Sequence, residues 1–330
     1  MASFILPNET RPDLAVGLSS KTLAGAVKFL APILFPAVKV GEHGGQISVA
    51  KRITGNAVVG RSRGTAMTAT QIEAKDVSFA VTSIEGRDTL RDRDIKDAGG
   101  LDSALVLASR SAGFDVIKAV EKKAAAKVFT ATRYAAASSI AAATPFDALA
   151  KAARAVKYYG TPTLVCHETW LEEFVKIDAV VDTLKKLFGD GWFKQITDLT
   201  NVTKAVGHAF AVDAVLIGDD EFWRVSGGTG GGAYDYTDAA AVVALRPEMM
   251  GANPVNTLKK MPTYGFMPLF LPDGAPSADN PFSVSVGYDT GIKENFVDVD
   301  IQADFVEANG EAVKLVKLPA AENNGGGNGG

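Results

Sequence analysis

Two runs of alternating apolar residues, Ile47, Val49 and Ile53 on one side and Val77, Phe79 and Val81 on the other, flank a polar stretch from Thr54 to Ala74. Period-two alternation marks strands with one buried face, so the runs read as the arms of a long β-hairpin. The stretch between them holds Gly55, Gly60, Arg61, Arg63 and Gly64 but almost no large apolar side chain. A connection this long and this polar cannot build its own core. Long excursions without structure of their own are uncommon unless they serve a function or are disordered.

The remaining segments are arranged around that hairpin. Residues 1–22 read as an irregular arm, with Pro7 and Pro12 blocking helix and few bulky residues to anchor it. A short helix is expected over Leu23 to Ala31, stopped at Ala31-Pro32, with Ile33 to Val40 extended. After the hairpin comes a mixed-charge ribbon from Glu85 to Asp97. Gly99-Gly100 then opens the longest helical pattern, Leu101 to about Thr132, with Leu105, Ala108, Ala112, Val116, Val120, Ala124 and Val128 on one stripe. Lys118, Glu121, Lys122 and Lys127 fall off the stripe, and the helix would be roughly 40 Å long. Tyr134 to Thr144 reads as a linker, Phe146 to Tyr159 as an amphipathic helix, Pro162 to Cys166 as a buried strand, and Thr169 to Ile177 as a helix. Strand character resumes over Ala209 to Ile217 and again from Val284 to Val316, where Glu307 to Glu311 carries the Asn-Gly signal of a hairpin turn. Strands and helices do not alternate as βαβ units, so the class is α+β rather than a nucleotide-binding parallel sheet.

Composition narrows the function. With 330 residues, 47% hydrophobic and 22% charged, the chain is an ordinary globular protein of one large or two modest domains. A net charge of −4 excludes a generally basic protein that wraps nucleic acid by charge neutralisation. Cys166 is the single cysteine, so no intramolecular disulfide forms, which fits folding in a reducing cytoplasm. The start carries no secretory signal, and the most apolar segment, Ala24 to Val40, is too short and too interrupted to span a bilayer.

No catalytic, cofactor or metal site emerges. The stretch from Gly227 to Gly232 has five glycines in six positions, but Ala233-Tyr234 stands where a phosphate loop needs lysine and a hydroxyl. It reads as a surface loop that bends. His167-Glu168 lacks the second histidine of a zinc helix, and the chain has only three histidines, His43, His167 and His208. Cys166 and His167 would point to opposite faces of a strand, so a buried structural thiol is expected. Lys51, Arg52, Arg61 and Arg63 make the hairpin locally basic without the aromatics of a nucleic-acid platform.

The order of parts resembles the major capsid proteins of tailed bacteriophages, the Hong Kong phage capsid fold. Three stretches carry the local likeness: Lys75 to Ile84 leading through the ribbon; Phe146 to Val156 followed by Thr163 to Trp170; and Lys293 to Val297. The resemblance runs from about residue 20 to 318. It implies an α+β fold with an N-terminal arm over 1–43, an extended loop over 44–84 and a peripheral domain with a spine helix over 85–144. An axial domain over 145–278, returning peripheral strands over 279–319 and a flexible tail over 320–330 complete it. The implied role is structural and non-catalytic, without cofactors. Pentamers and hexamers of the chain would self-assemble in the bacterial host cytoplasm into an icosahedral head enclosing double-stranded DNA without sequence-specific binding. Implied partners are a separate scaffolding protein, a portal protein and, optionally, a decoration protein, with no membrane; the final location is the virion.

Arg61 and Arg63 are expected to meet acidic groups on an adjacent subunit, because no acidic residue between Lys51 and Gln71 balances them. Arg87, Asp88, Arg91, Asp92, Arg93 and Asp94 of the ribbon, alternating in sign, are likewise expected at subunit contacts. Some family members weld their loops to neighbours through a lysine–asparagine bond. The tip from Ile53 to Ala74 has no lysine, so no such link is expected. Members that carry their own scaffold have a further charged, helical N-terminal segment. Only a short arm precedes the hairpin here, so separate scaffolding and nearly complete retention of the sequence are expected. A bacterial nanocompartment shell of the same fold is the near alternative, and a soluble α+β enzyme with a dispersed site the distant one.

Overall fold

The long helical pattern forms one uninterrupted helix, Leu101–Val128, whose 28 residues span about 42 Å. A short helix, Asp92–Asp97, precedes it, and Gly99 and Gly100 separate the two at φ of 81° and 139°. That left-handed backbone ends the first helix, with Gly99 N–H and Gly100 N–H donating to the Lys96 and Ile95 carbonyls. The computed structural model describes residues 6–16, 18, 29–54, 71–189, 199–224, 236–246, 254–271, 281–291 and 294–319. By packing the chain forms two units, Met1–Val128 with Leu245–Ala312, and Phe129–Ala244 with Val313–Gly330.

In the first unit the strands are β1 (Glu9–Thr10), β2 (Ala37–Lys39), β3 (Gly44–Thr54), β4 (Gln71–Ala80), β5 (Thr82–Leu90), β10 (Gly265–Phe270), β11 (Ser283–Asp289), β12 (Glu294–Ala303) and β13 (Val306–Glu307). The main sheet runs β1-β11-β12-β10-β13, with β5 added to β12 and β2 to β10. Residues of β12 alternate in burial along the whole strand, so Val297, Val299 and Ile301 face the core while Phe296, Asp298 and Asp300 face outward. The spine helix lies on the core face, against β5 and β12. Gly86 of β5 lets it approach: a Cβ there would stand 2.4 Å from the Ala112 carbonyl oxygen. The mixed-charge ribbon is therefore a sheet strand followed by a short helix, with its charged side chains largely exposed.

β3 and β4 pair antiparallel as the long hairpin read from the alternation, with a bulge between Ala50 and Arg52. At its base Val49, Phe79 and Val81 join Val38, Leu258, Phe266, Val306 and Ala308 in one apolar cluster. Residues 72–76 of β4 are exposed, and of these Ile72 and Glu73 lie past the bulge. One end of the hairpin is held in the core. The tip, with Arg61 and Arg63, lies outside the described residues.

The arm differs from expectation. Pro12 and Pro32 open helices, Pro12–Val16 and Ala31–Leu34, because a proline in the first turn gives up an N–H that would be unpaired anyway. β1 pairs with β11, and Leu6, Leu14 and Leu18 are buried, so the arm is anchored. Of the helix expected over Leu23 to Ala31, residues 23–28 lie outside the described residues, and Phe29 and Leu30 are not helical.

The second unit holds β6 (Ser138–Ser139), β7 (Thr161–His167), β8 (Ala214–Gly218), β9 (Ala239–Leu245) and β14 (Val313–Lys317), in the order β6-β14-β9-β7-β8. Its central strands are buried on both faces, which is why they read as continuous apolar runs. Helix Pro145–Val156 packs on β7 and β14. The stretch read as a linker contains a short helix, Ala131–Ala135, capped by Thr130, and β6, which pairs in parallel with β14. Ala209 ends helix Leu199–Ala209 and β8 starts only at Ala214. The Asn309-Gly310 turn does not close a hairpin: β13 pairs with β10 in the first unit and β14 with β9 in the second.

Candidate inter-subunit surfaces

The outward face of β5, β11 and β12 collects the ribbon charges. Arg87 stands directly opposite Asp298, and its guanidinium grips that carboxylate at 2.6 and 2.7 Å, reaches Asp289 at 3.3 Å and lies 4.2 Å from the centre of the Phe296 ring. Such a two-pronged grip suits the planar guanidinium. Asp298 further raises the already high Arg87 pKa, against the opposing effect of partial burial. Arg91 Nε meets Glu294 at 3.0 Å, and its backbone N–H is taken up by Asp94 Oδ2. Arg93 pairs with Asp97 at 3.4 Å along the short helix. Asp88 accepts the Thr89 N–H, and Asp92 stands exposed in the helix's first turn. The three arginines are thus ion-paired within the chain, with Arg91 and Arg93 side chains 69% and 88% exposed. Exposed pairs of this kind are worth about 1 kcal/mol or less each and exchange partners at little cost.

Two polar side chains that sequence reading passed over hold the first unit together. Glu121, on the spine helix, is fully buried, and its two oxygens accept the N–H groups of Leu30 and Ala31 at 3.1 and 2.9 Å. It caps, from another element, a helix that has no side-chain cap of its own. Asn309 is buried, and its amide donates to the carbonyls of Ala50 and Thr263 at 3.1 and 2.8 Å. It ties the hairpin base to the core beside the bulge.

The second unit contains the residues weighed for chemistry. Cys166 is buried on β7, and loss of solvent, with the Asp220 charge adding, pushes its thiol pKa far up, which leaves no thiolate for nucleophilic work. His167 is 1% exposed. Its Nε2 lies 2.9 Å from the Thr237 carbonyl and must carry the proton, so Nδ1 is the acceptor for the Trp170 N–H at 3.2 Å and caps helix Glu168–Val175. Asp220 approaches the same Nδ1 at 3.3 Å while accepting both the N–H and hydroxyl of Thr169. Burial holds the imidazole below its ordinary pKa, opposed by Thr237 and Asp220.

Two open depressions in this unit, about 630 and 410 Å³, share Ala211 and Asp213. The first is lined by Thr203, Lys204, His208 and Asp213 among others, the second by Arg154, Lys157 and Asp213 among others. Among the described residues no group of three or more His, Cys, Asp or Glu side chains is placed to hold a metal ion. No helix among them is long and apolar enough to cross a membrane. The glycine-rich stretch 227–232 lies outside the described residues.

No protein-family model and no curated protein matches the sequence. Among solved structures, a phage-related protein from Bordetella bronchiseptica superposes with a TM-score of 0.59 at 14% identity, over 96% of this chain and 100% of that one. The chain shares that protein's fold. A virus-like particle from Pyrococcus furiosus matches at TM-score 0.49 and 9% identity over 92% and 98% of the two chains. The asymmetric unit of the bacteriophage PhiM1 mature capsid matches at 0.48 and 13% over 87% and 86%. The fold likeness rests on the first of these. The order of parts behind the capsid-fold resemblance is the order observed.

Proposed function

We propose that the chain is the major capsid protein of a tailed double-stranded DNA bacteriophage, a structural subunit that self-assembles into an icosahedral head. The observation that carries this reading is the hairpin within a fold shared end to end with a phage-related protein. Among the described residues β3 and β4 are held at their base, and Lys51, Ile72 and Glu73, at or beyond the bulge, are solvent-facing in the single chain. An isolated two-stranded ribbon is marginal in water, so its outer part needs a neighbouring surface. In this proposal residues 44–84 are the extended loop, 85–144 with 279–319 the peripheral domain and 145–278 the axial domain. The ribbon residues Arg87, Asp88, Arg91, Asp92, Arg93 and Asp94 lie at subunit contacts, exchanging their internal partners for those of a neighbour.

Pentamers and hexamers, a separate scaffolding protein, a portal and enclosed DNA belong to the same proposal, and the virion is the location. A nanocompartment shell of the same fold is the second reading, favoured by the virus-like particle among the similar structures. Electron microscopy of the expressed chain tests the first step. Aberrant shells, tubes or capsomers are expected from the chain without its scaffolding partner; monodisperse particles of single-subunit size at every concentration would overturn shell formation. Double-stranded DNA in native particles separates the phage head from a compartment filled with protein cargo.

A further inference from the structure

His167 Nδ1 has two competing partners at nearly the same distance, the Trp170 N–H at 3.2 Å and the Asp220 carboxylate at 3.3 Å. They demand opposite protonation states. The neutral ring can accept from Trp170; the doubly protonated ring can only donate, and Asp220 is the acceptor in reach. We propose that His167 is an acid-operated latch, switching Nδ1 from the Trp170 amide to the Asp220 carboxylate and releasing the start of helix Glu168–Val175.

The surroundings make the two states distinct. Nε2–H donates to the Thr237 carbonyl in both, so the ring is held on one side while Nδ1 changes partner. Asp220 presently takes both hydrogens of Thr169, so drawing it toward a charged ring loosens the same helix start a second time. The other charged groups nearby are Arg224, whose charge opposes protonation, Glu168 next in sequence, and Asp238, whose carbonyl accepts the Trp170 indole N–H and whose carboxylate accepts the Tyr134 hydroxyl. Cys166 stays a neutral thiol. Because burial disfavours the charged ring, the switch lies on the acid side of the ordinary histidine range. Stability from the neutral state is complete above that range and is lost as the pH falls through the folded-state value.

Hydrogen–deuterium exchange of the full chain between about pH 7 and about pH 4.5, corrected for intrinsic rates, tests this. Exchange at the start of helix Glu168–Val175 should rise about fivefold on acidification, the loss expected for one helix cap, while β7 and β9 amides stay protected. Asp220→Asn removes the anion that accepts the Nδ1–H hydrogen bond and should move the rise to lower pH. His167→Asn, which can cap but cannot titrate, should give a flat profile. A flat profile in the unaltered chain, or a rise that is the same in Asp220→Asn, overturns the latch. If a variant fails to fold, which its β7 and β9 amides report, the unaltered chain's profile decides alone. None of these readouts depends on shell formation.

Discussion

Glu121 shows how one buried carboxylate can fix a segment 90 residues away in sequence. Its two oxygens are the partners of two backbone N–H groups that would otherwise start a helix uncapped inside the protein. Glu121→Ala should leave those donors unpaired and cost about 3 kcal/mol, with Glu121→Gln, which retains one acceptor, losing about half as much. Denaturant unfolding gives the size of the effect. Proteolysis confined to the arm would place it. Gly86 is the second decisive position. Gly86→Ala must push the spine helix away from a backbone oxygen at 2.4 Å, and a loss of about 2 kcal/mol in thermal or denaturant unfolding is expected. Gly41→Ala, with nothing within 4 Å of the added carbon, serves as the neutral comparison.

Among the elements, the hairpin has a base and a bulge region in different surroundings. Its base is part of the core cluster and is stapled by Asn309, while the strand beyond the bulge meets solvent in the single chain. Asn309→Ala removes the donor from two buried carbonyls and should cost about 2 kcal/mol. Hydrogen exchange should then rise in β3 around Ala50 and at Thr263, while β7 to β9 are unaffected. Faster exchange across all strands alike would instead mean that Asn309 supports the whole unit rather than the hairpin base.

Across the whole molecule the predictions concern assembly. Arg61 and Arg63 lie outside the described residues, and the proposal for them rests on a stretch with no acidic residue between Lys51 and Gln71. Reversing both to glutamate should abolish or sharply reduce shell yield in microscopy while the circular dichroism of the subunit stays unchanged. Each contact is worth only about 1 kcal/mol, but a shell repeats it many times. Normal yield from the double variant would refute the contact. Shells should also dissociate to a single band near 34.5 kDa in denaturing electrophoresis, since the hairpin tip offers no lysine amine for a covalent bond to a neighbour. A ladder of covalent multiples would contradict this.

The sequence by itself determined the elements whose signal is periodic. Alternation at Ile47, Val49, Val77 and Phe79 specified the hairpin, and the three- and four-residue stripe from Leu105 to Val128 specified the spine helix, because period alone decides which face can be buried. Tertiary structure decided what covers each face. A charged residue off an apolar stripe reads as solvated, so Glu121 became legible only once the arm lay over it. Pro12 and Pro32 stop a helix or start one depending on which side the chain continues, and Asn309-Gly310 signals a turn whether its strands pair with each other or join different sheets. The strand Ala239–Leu245, rich in alanine, carries little strand propensity and owes its conformation to burial between β7 and β14. Local chemistry sets period and breakpoints; partners from distant sequence set burial, caps and strand order.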